Sequence, residues 1–156
     1  MKKSTLLVGI LILFNVMTTA SASEELENQF QKNTKLLQQA SFELRKILNA
    51  TEDENKFYRI QPVLTGVNSA LTAHEYTLLL FESKKYANQT EAHDTYMHRA
   101  LDYSKKKLQS SLILVRSSLS KIIDQSVRNK AEKAHTTIAA SIGIIDTMLK
   151  EIEARL

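Results

Sequence analysis

The sequence predicts an all-α protein, an antiparallel up-down-up-down four-helix bundle that follows an N-terminal secretory signal peptide. Apolar residues recur at spacings of three and four along four long segments, as on the buried faces of amphipathic helices. The chain has one proline and three glycines in 156 residues, which are few breakers for a turn-rich protein. Short polar stretches separate the segments, and short connections favour antiparallel neighbours.

Residues 1–22 have the layout of a signal peptide. Two lysines follow the initial Met, an apolar run covers 6–16, and Ala20-Ser21-Ala22 offers small residues to a signal peptidase. The run is shorter than the ~20 apolar residues that span a bilayer. We therefore expect cleavage after Ala22 and a mature domain of 23–156 with no transmembrane anchor. That domain would be periplasmic or secreted, and the Met-Lys-Lys start favours a bacterial source.

The first helix is predicted over about Glu24–Asn49, with Ser23 as its N-cap. The second is centred on 62–86. Pro62 suits a first helical turn, although 56–60 could form a turn before it. The inward positions of these two helices are Leu26, Phe30, Leu37, Ala40, Leu44, Ile47, Leu64, Val67, Leu71, His74, Leu78 and Phe81.

Thr90 is a predicted N-cap for a third helix from Glu91 to about Asp124, and a fourth runs over about 127–153. Their inward positions are Met97, Leu101, Leu108, Leu112, Val115, Leu119, Ile122, Ala131, Ala134, Ile138, Ile145, Met148 and Ile152. The break at 124–126 contains cap residues but no Gly or Pro, so a continuous helix from Glu91 onward is an alternative. The broken form favours a monomeric bundle, whereas a continuous helix would bury its apolar stripes in a homodimer.

Composition excludes several classes of function. The chain has no cysteine, which rules out disulfides, thiolate metal sites and a cysteine nucleophile. Its net charge is +4, and removing residues 1–22 takes away two lysines and no acid, leaving +2. Such a low charge argues against a specific nucleic-acid binder. The sequence has neither a Gly-rich phosphate loop nor a Gly-x-Ser-x-Gly elbow, so it predicts no enzyme and no cofactor.

Positive charge is concentrated in 99–133, where nine basic and three acidic residues give a balance of +6. The candidate binding residues are Lys105, Lys106, Lys107, Arg116, Lys121 and Arg128. Such a basic helix face would attract an envelope protein or a polyanionic surface. The leading hypothesis is therefore an exported, non-enzymatic bundle that binds a protein partner or an envelope polyanion.

The alternative is a metal- or cofactor-binding four-helix bundle that uses histidine and carboxylate ligands. Asp94, His98 and Asp102 recur every four residues and share one helix face. Glu132 and His135 match one Glu-x-x-His unit of di-iron bundles, but such sites need a second copy. These five residues are therefore weak candidates for a metal site.

Three further residues stand out within the predicted helices. His74 lies on a core stripe at about the level of Tyr103, which predicts a buried histidine with a hydrogen-bond partner. Gly66 and Gly143 each lie four residues from an alanine. Such pairs of small residues predict close approach of neighbouring helices. Leucine at position 143 should then destabilise the fold.

Overall fold

The computed structural model describes residues 4–156, with side chains from Glu24 onward except that of Tyr86. The chain forms an up-down-up-down bundle, which confirms the predicted fold class. Each helix packs against the helices next to it in sequence, and the first helix also packs against the fourth. The helices are α1 (Ser4–Asn49), α2 (Glu54–Tyr86), α3 (Glu91–Leu119) and α4 (Gln125–Glu153).

The predicted signal peptide, residues 1–22, lies outside the part of the chain whose side chains the structure describes. Cleavage and export therefore stay predictions. Helix α1 begins at Ser4, so Ser23 is not a helix start in the uncleaved chain. The physical reason is that residues 17–24 contain no Gly or Pro that would end a helix. Among the described residues, no helix combines the length and apolarity needed to cross a membrane.

Side-chain caps define where three of the helices begin. The Asp53 carboxylate accepts from the backbone N–H groups of Asn55 and Lys56 at 2.9 and 3.2 Å. Thr90 accepts from His93 N–H at 3.2 Å, which confirms the predicted cap of α3. Asp124 accepts from the backbone of α4 in the same way. Each cap satisfies helix N–H groups that have no intrahelical partner.

Of the two starts that the sequence left open for the second helix, the one before Pro62 is right. Because Asp53 caps α2, the helix begins at Glu54 and Pro62 lies inside it. Proline has no N–H, so the carbonyl of Tyr58 loses its usual helical donor. Tyr58 is exposed, where water can replace that donor. The region 56–60, which the sequence left open, is therefore helical.

Helices α3 and α4 are separate, so the continuous-helix alternative is wrong. Helix α3 ends at Leu119, earlier than the predicted Asp124, and the chain turns through an Ile122 N–H to Leu119 carbonyl bond of 3.2 Å. Ile122 is buried and anchors the connection. Asp124 then accepts from Val127 N–H at 3.1 Å and starts α4. The break lets α4 fold back on α3, so one chain closes its own core.

The predicted stripes form one hydrophobic core. Its largest fully buried apolar side chains are Phe30, Leu37, Leu44, Ile60, Leu101, Leu108, Ile122, Ile138 and Ile145. Several predicted positions are only partly buried and pack around this centre: Leu26, Ile47, Leu64, Leu71, Leu78, Leu112 and Leu119. All four helices contribute, as the heptad-like spacing predicts.

The two mid-helix glycines have opposite surroundings. A Cβ at Gly66 would lie 2.8 Å from Val115 Cγ2 and 3.2 Å from the Ser111 carbonyl oxygen, so α2 and α3 approach closely there. Gly143 is exposed, and a Cβ there would meet nothing within 4 Å. The expected close approach is confirmed at Gly66 and wrong at Gly143, because Gly143 faces away from the other helices.

Candidate functional site

The lysine triplet does not form one basic face, because successive helical residues point about 100° apart. Lys105 turns towards α4 and pairs with Asp146 at 2.6 Å. Lys106 pairs with Asp102 in its own helix at 2.7 Å. Lys107 lies over the ring of Tyr103, with Nζ 5.4 Å from the centroid. Two of the three charges are therefore compensated.

The other candidate cations lie nearer the α3–α4 connection. One Arg128 Nη donates to the Leu119 carbonyl at 3.5 Å and helps to cap α3. Arg116 and Lys121 are exposed and have no ion pair within the described residues. The six predicted binding residues thus divide between the middle of α3 and the bundle end.

Three of the five candidate metal ligands have partners of another kind. Asp94 accepts two bonds of 3.0 Å from the Arg155 guanidinium, and His98 Nε2 lies 3.0 Å from a Glu153 carboxylate oxygen. Arg155 holds the pKa of Asp94 below its ordinary value. Asp102 pairs with Lys106, which lowers the pKa of that carboxyl too.

The remaining pair, Glu132 and His135, lies on α4. Glu132 is exposed, and Nε2 of the half-buried His135 has no hydrogen-bond partner among the described residues. Across the part of the chain that the structure describes, no three His, Cys, Asp or Glu residues converge in a way that could hold a metal ion. The geometry therefore gives the metal alternative no assembled site.

The Asp94–Arg155 pair fastens the end of α4 to the start of α3. Replacing Asp94 with Asn should lower the free energy of unfolding at pH 7 by about 1–2 kcal/mol, since charge-assisted bonds to a buried carboxylate are lost. Hydrogen exchange should quicken in the last turn of α4. Denaturant titration of Asp94→Asn beside Asp102→Asn, whose ion pair is exposed, checks this. Equal losses in the two variants would contradict the assignment.

His74 is fully buried on α2 and stacks on Phe30, with ring centroids 4.2 Å apart. The Thr34 hydroxyl donates to the Phe30 carbonyl at 2.9 Å, so its oxygen is left to accept from His74 Nδ1–H at 2.8 Å. Nε2 is buried without a hydrogen-bond partner among the described residues. The predicted burial of His74 and its hydrogen bond are confirmed. The partner is the hydroxyl of Thr34 on α1 and not a group at the level of Tyr103. Burial lowers the pKa of His74 to about 4.

Three exposed tyrosines gather on the outer side of α2 and α3. The rings of Tyr76 and Tyr103 meet edge to face at 6.2 Å, and Lys107 lies over Tyr103. Burial, followed by the neighbouring phenols of Tyr96 and Tyr103, raises the pKa of Tyr76. Leu79, 68% exposed, follows Tyr76 by three residues and continues the same side. We call these residues, Tyr76, Leu79, Tyr96, Tyr103 and Lys107, the tyrosine surface.

Arg99 also belongs to this side of α3. It follows Tyr96 by three residues and precedes Tyr103 by four, so helical spacing places it between them. Arg99 is exposed and has no ion pair among the described residues. In the sequence, Tyr103 lies two residues before the lysine triplet 105–107. The seven-residue spacing of Tyr96 and Tyr103 places them on one side of α3 and could have been read from the sequence. Their contact with Tyr76 of α2 becomes visible only in the folded structure.

Comparison of this chain with protein-family models, curated proteins and solved structures finds no match.

Proposed function

We propose that this chain is an exported, non-enzymatic binding protein whose tyrosine surface docks an acidic patch of a protein partner. The observation that carries the proposal is the contact of Tyr76 with Tyr103 beneath Lys107, on the outside of the bundle. Tyrosine and arginine are enriched at the energetic centres of protein interfaces.

The charges beside the rings favour an acidic partner. Arg99 and Lys107 have no carboxylate partner among the described residues, so both are available to one. A long polyanion would be better served by a continuous row of cations, but Lys105 and Lys106 are already paired. The exposed, apolar Leu79 is also better suited to contact a protein partner than to contact a sulfated or phosphorylated polymer. A protein partner is therefore favoured over an envelope polyanion.

A binding function fits this geometry better than catalysis. The tyrosine surface lies on the convex outside of two helices, whereas reacting groups are usually held in a concave, water-poor site. The export part of the proposal is supported by the composition of residues 1–22, with two lysines, an apolar run and Ala20-Ser21-Ala22.

To test the proposal, the parent protein and its variants are immobilised and exposed to an envelope extract, and the partner proteins that each retains are compared. The Tyr76→Ala/Tyr103→Ala double variant should retain at least about tenfold less of a specific partner, because interface tyrosines contribute strongly to binding. The matched control is Tyr58→Ala, since Tyr58 is an exposed tyrosine of α2 outside the surface. Recovered partner should be quantified by mass spectrometry at low and moderate salt.

Two results would contradict the proposal. One is equal retention by the double variant and by Tyr58→Ala. The other is binding to dextran sulfate that is lost on removing Arg116 and Lys121 but not the tyrosines, which would assign the protein to polyanions. Circular dichroism of each variant confirms that the bundle is intact.

A further inference from the structure

A cavity of about 280 Å³ lies where the start of α2 meets the α3–α4 connection. It is at the opposite end of α3 from Tyr96 and is separate from the tyrosine surface. Small-molecule sites begin at roughly 300 Å³, so the cavity suits a small ligand. A folded partner could not enter it.

The cavity has a rigid apolar wall. Ile60 and Ile122 line it and are almost fully buried, so their positions are held by the core. Ile123 lines the same space but is 79% exposed. An exposed isoleucine beside two buried ones leaves apolar area that a ligand could cover. The wall therefore fits the hydrocarbon part of a ligand.

The polar wall contains one cation without a carboxylate partner. Lys56 pairs with Asp124 at 3.0 Å, and Asp124 also accepts from the backbone of α4. Asp53 is occupied by two N–H groups of α2. Arg59 lines the cavity, is half-buried and has no ion pair among the described residues. Its guanidinium can therefore donate to a carboxylate in the paired geometry that arginine favours.

We propose that this cavity binds a small amphipathic monoanion, with its carboxylate on Arg59 and its apolar body against the three isoleucines. The two aspartates do not make the cavity a cation site, because each caps a helix and two cations, Lys56 and Arg59, line the same space. This site is independent of the proposed protein docking.

Calorimetric titration with sodium octanoate tests the proposal on the purified protein. Octanoate should bind saturably with Kd of about 1 mM or tighter, and 1-octanol, which has the same chain without the charge, should bind at least about tenfold more weakly. In NMR spectra, octanoate should shift the amide signals of Ile60, Ile122 and Ile123.

Two variants identify the groups that bind. Arg59→Gln should weaken octanoate binding by about tenfold or more, and Ile123→Ser should weaken it too, with the fold checked by circular dichroism. Arg45→Gln is the matched control, because Arg45 is an exposed arginine that does not line the cavity. The Tyr76→Ala/Tyr103→Ala variant should bind octanoate as the parent protein does. Failure of the protein-docking proposal can therefore be distinguished from failure of the octanoate site.

Three results would overturn the assignment. The first is no saturable heat up to about 10 mM octanoate, ten times the expected Kd. The second is equal affinity for octanol and octanoate. The third is equal weakening of octanoate binding by Arg59→Gln and Arg45→Gln.

Discussion

The contribution of His74 to the free energy of unfolding should fall by about 3 kcal/mol between pH 7 and pH 4, because the unfolded chain binds a proton on this side chain more readily than the folded protein does. Burial lowers the pKa of His74 from 6.5 to about 4 in the folded protein. Between these values the unfolded chain binds more protons, so stability rises with pH across this window. A difference of about 2.5 pKa units at ~1.4 kcal/mol each sets the magnitude.

The structural cause is the absence of compensation for a charged imidazole. The ring stacks on Phe30, its Nδ1–H is used by Thr34, and Nε2 has no acceptor nearby among the described residues. A proton on Nε2 would therefore bury an unpaired charge. The neutral ring is stable at pH 7, and this contribution is lost as the pH falls from 6.5 to 4.

Denaturant titrations at several pH values, on the parent protein and on His74→Leu, measure this effect. The variant should lose the His74 part of the slope between pH 6.5 and 4. Subtracting its profile from that of the parent removes the carboxylate contributions, which the two proteins share. His98→Gln is the control, because His98 lies at the surface beside Glu153. Parallel pH profiles for the parent and His74→Leu would rule out His74 as the source.

Leucine at position 66 should destabilise the bundle by about 2–3 kcal/mol, whereas leucine at 143 should be neutral or slightly stabilising. At Gly66 even a Cβ would lie 2.8 Å from Val115 Cγ2, and the stiff valine cannot move aside without shifting α3. At Gly143 the added side chain enters open space. Replacing a helical glycine then recovers up to about 1 kcal/mol of helix propensity.

Thermal unfolding of the two leucine variants, with Gly66→Ala as an intermediate step, measures this contrast. Gly66→Ala should lose less than Gly66→Leu, because its gain in helix propensity partly offsets the overlap with Val115. Equal melting temperatures for the variants at 66 and 143 would show that α2 and α3 do not approach as closely as the Val115 contact indicates.

Much of the fold was predictable because each helix carries its own signal. The three-four spacing identified residues such as Phe30, Leu101 and Ile138, all of which are buried. Helix ends were harder to predict. Asp53 lies in the polar stretch between the first two predicted helices. Whether it caps α2, and so sets the helix start at Glu54, depends on local backbone geometry. The sequence alone left the separation of α3 from α4 open, because no Gly or Pro marks it.

The candidate binding residues were less predictable, because charge compensation depends on neighbouring helices. Lys105 looks the same as Lys107 in the sequence, yet Asp146 of α4 pairs with the first and Tyr103 lies beneath the second. Asp94 was weighed as a metal ligand, but its partner, Arg155, is far away in sequence. Contacts of this kind become visible only when the helices are packed.

By itself, the sequence determined four amphipathic helices and their antiparallel order, because periodic apolar residues and short connections are local properties of the chain. Only the tertiary structure decided which polar groups remain available. It paired Lys105 with Asp146 and Asp94 with Arg155. It also buried His74, brought Tyr76 to Tyr103, and opened a cavity beside Arg59. The physical reason is that a side chain's partners come from whichever helix packs beside it, and helical spacing alone does not specify that neighbour.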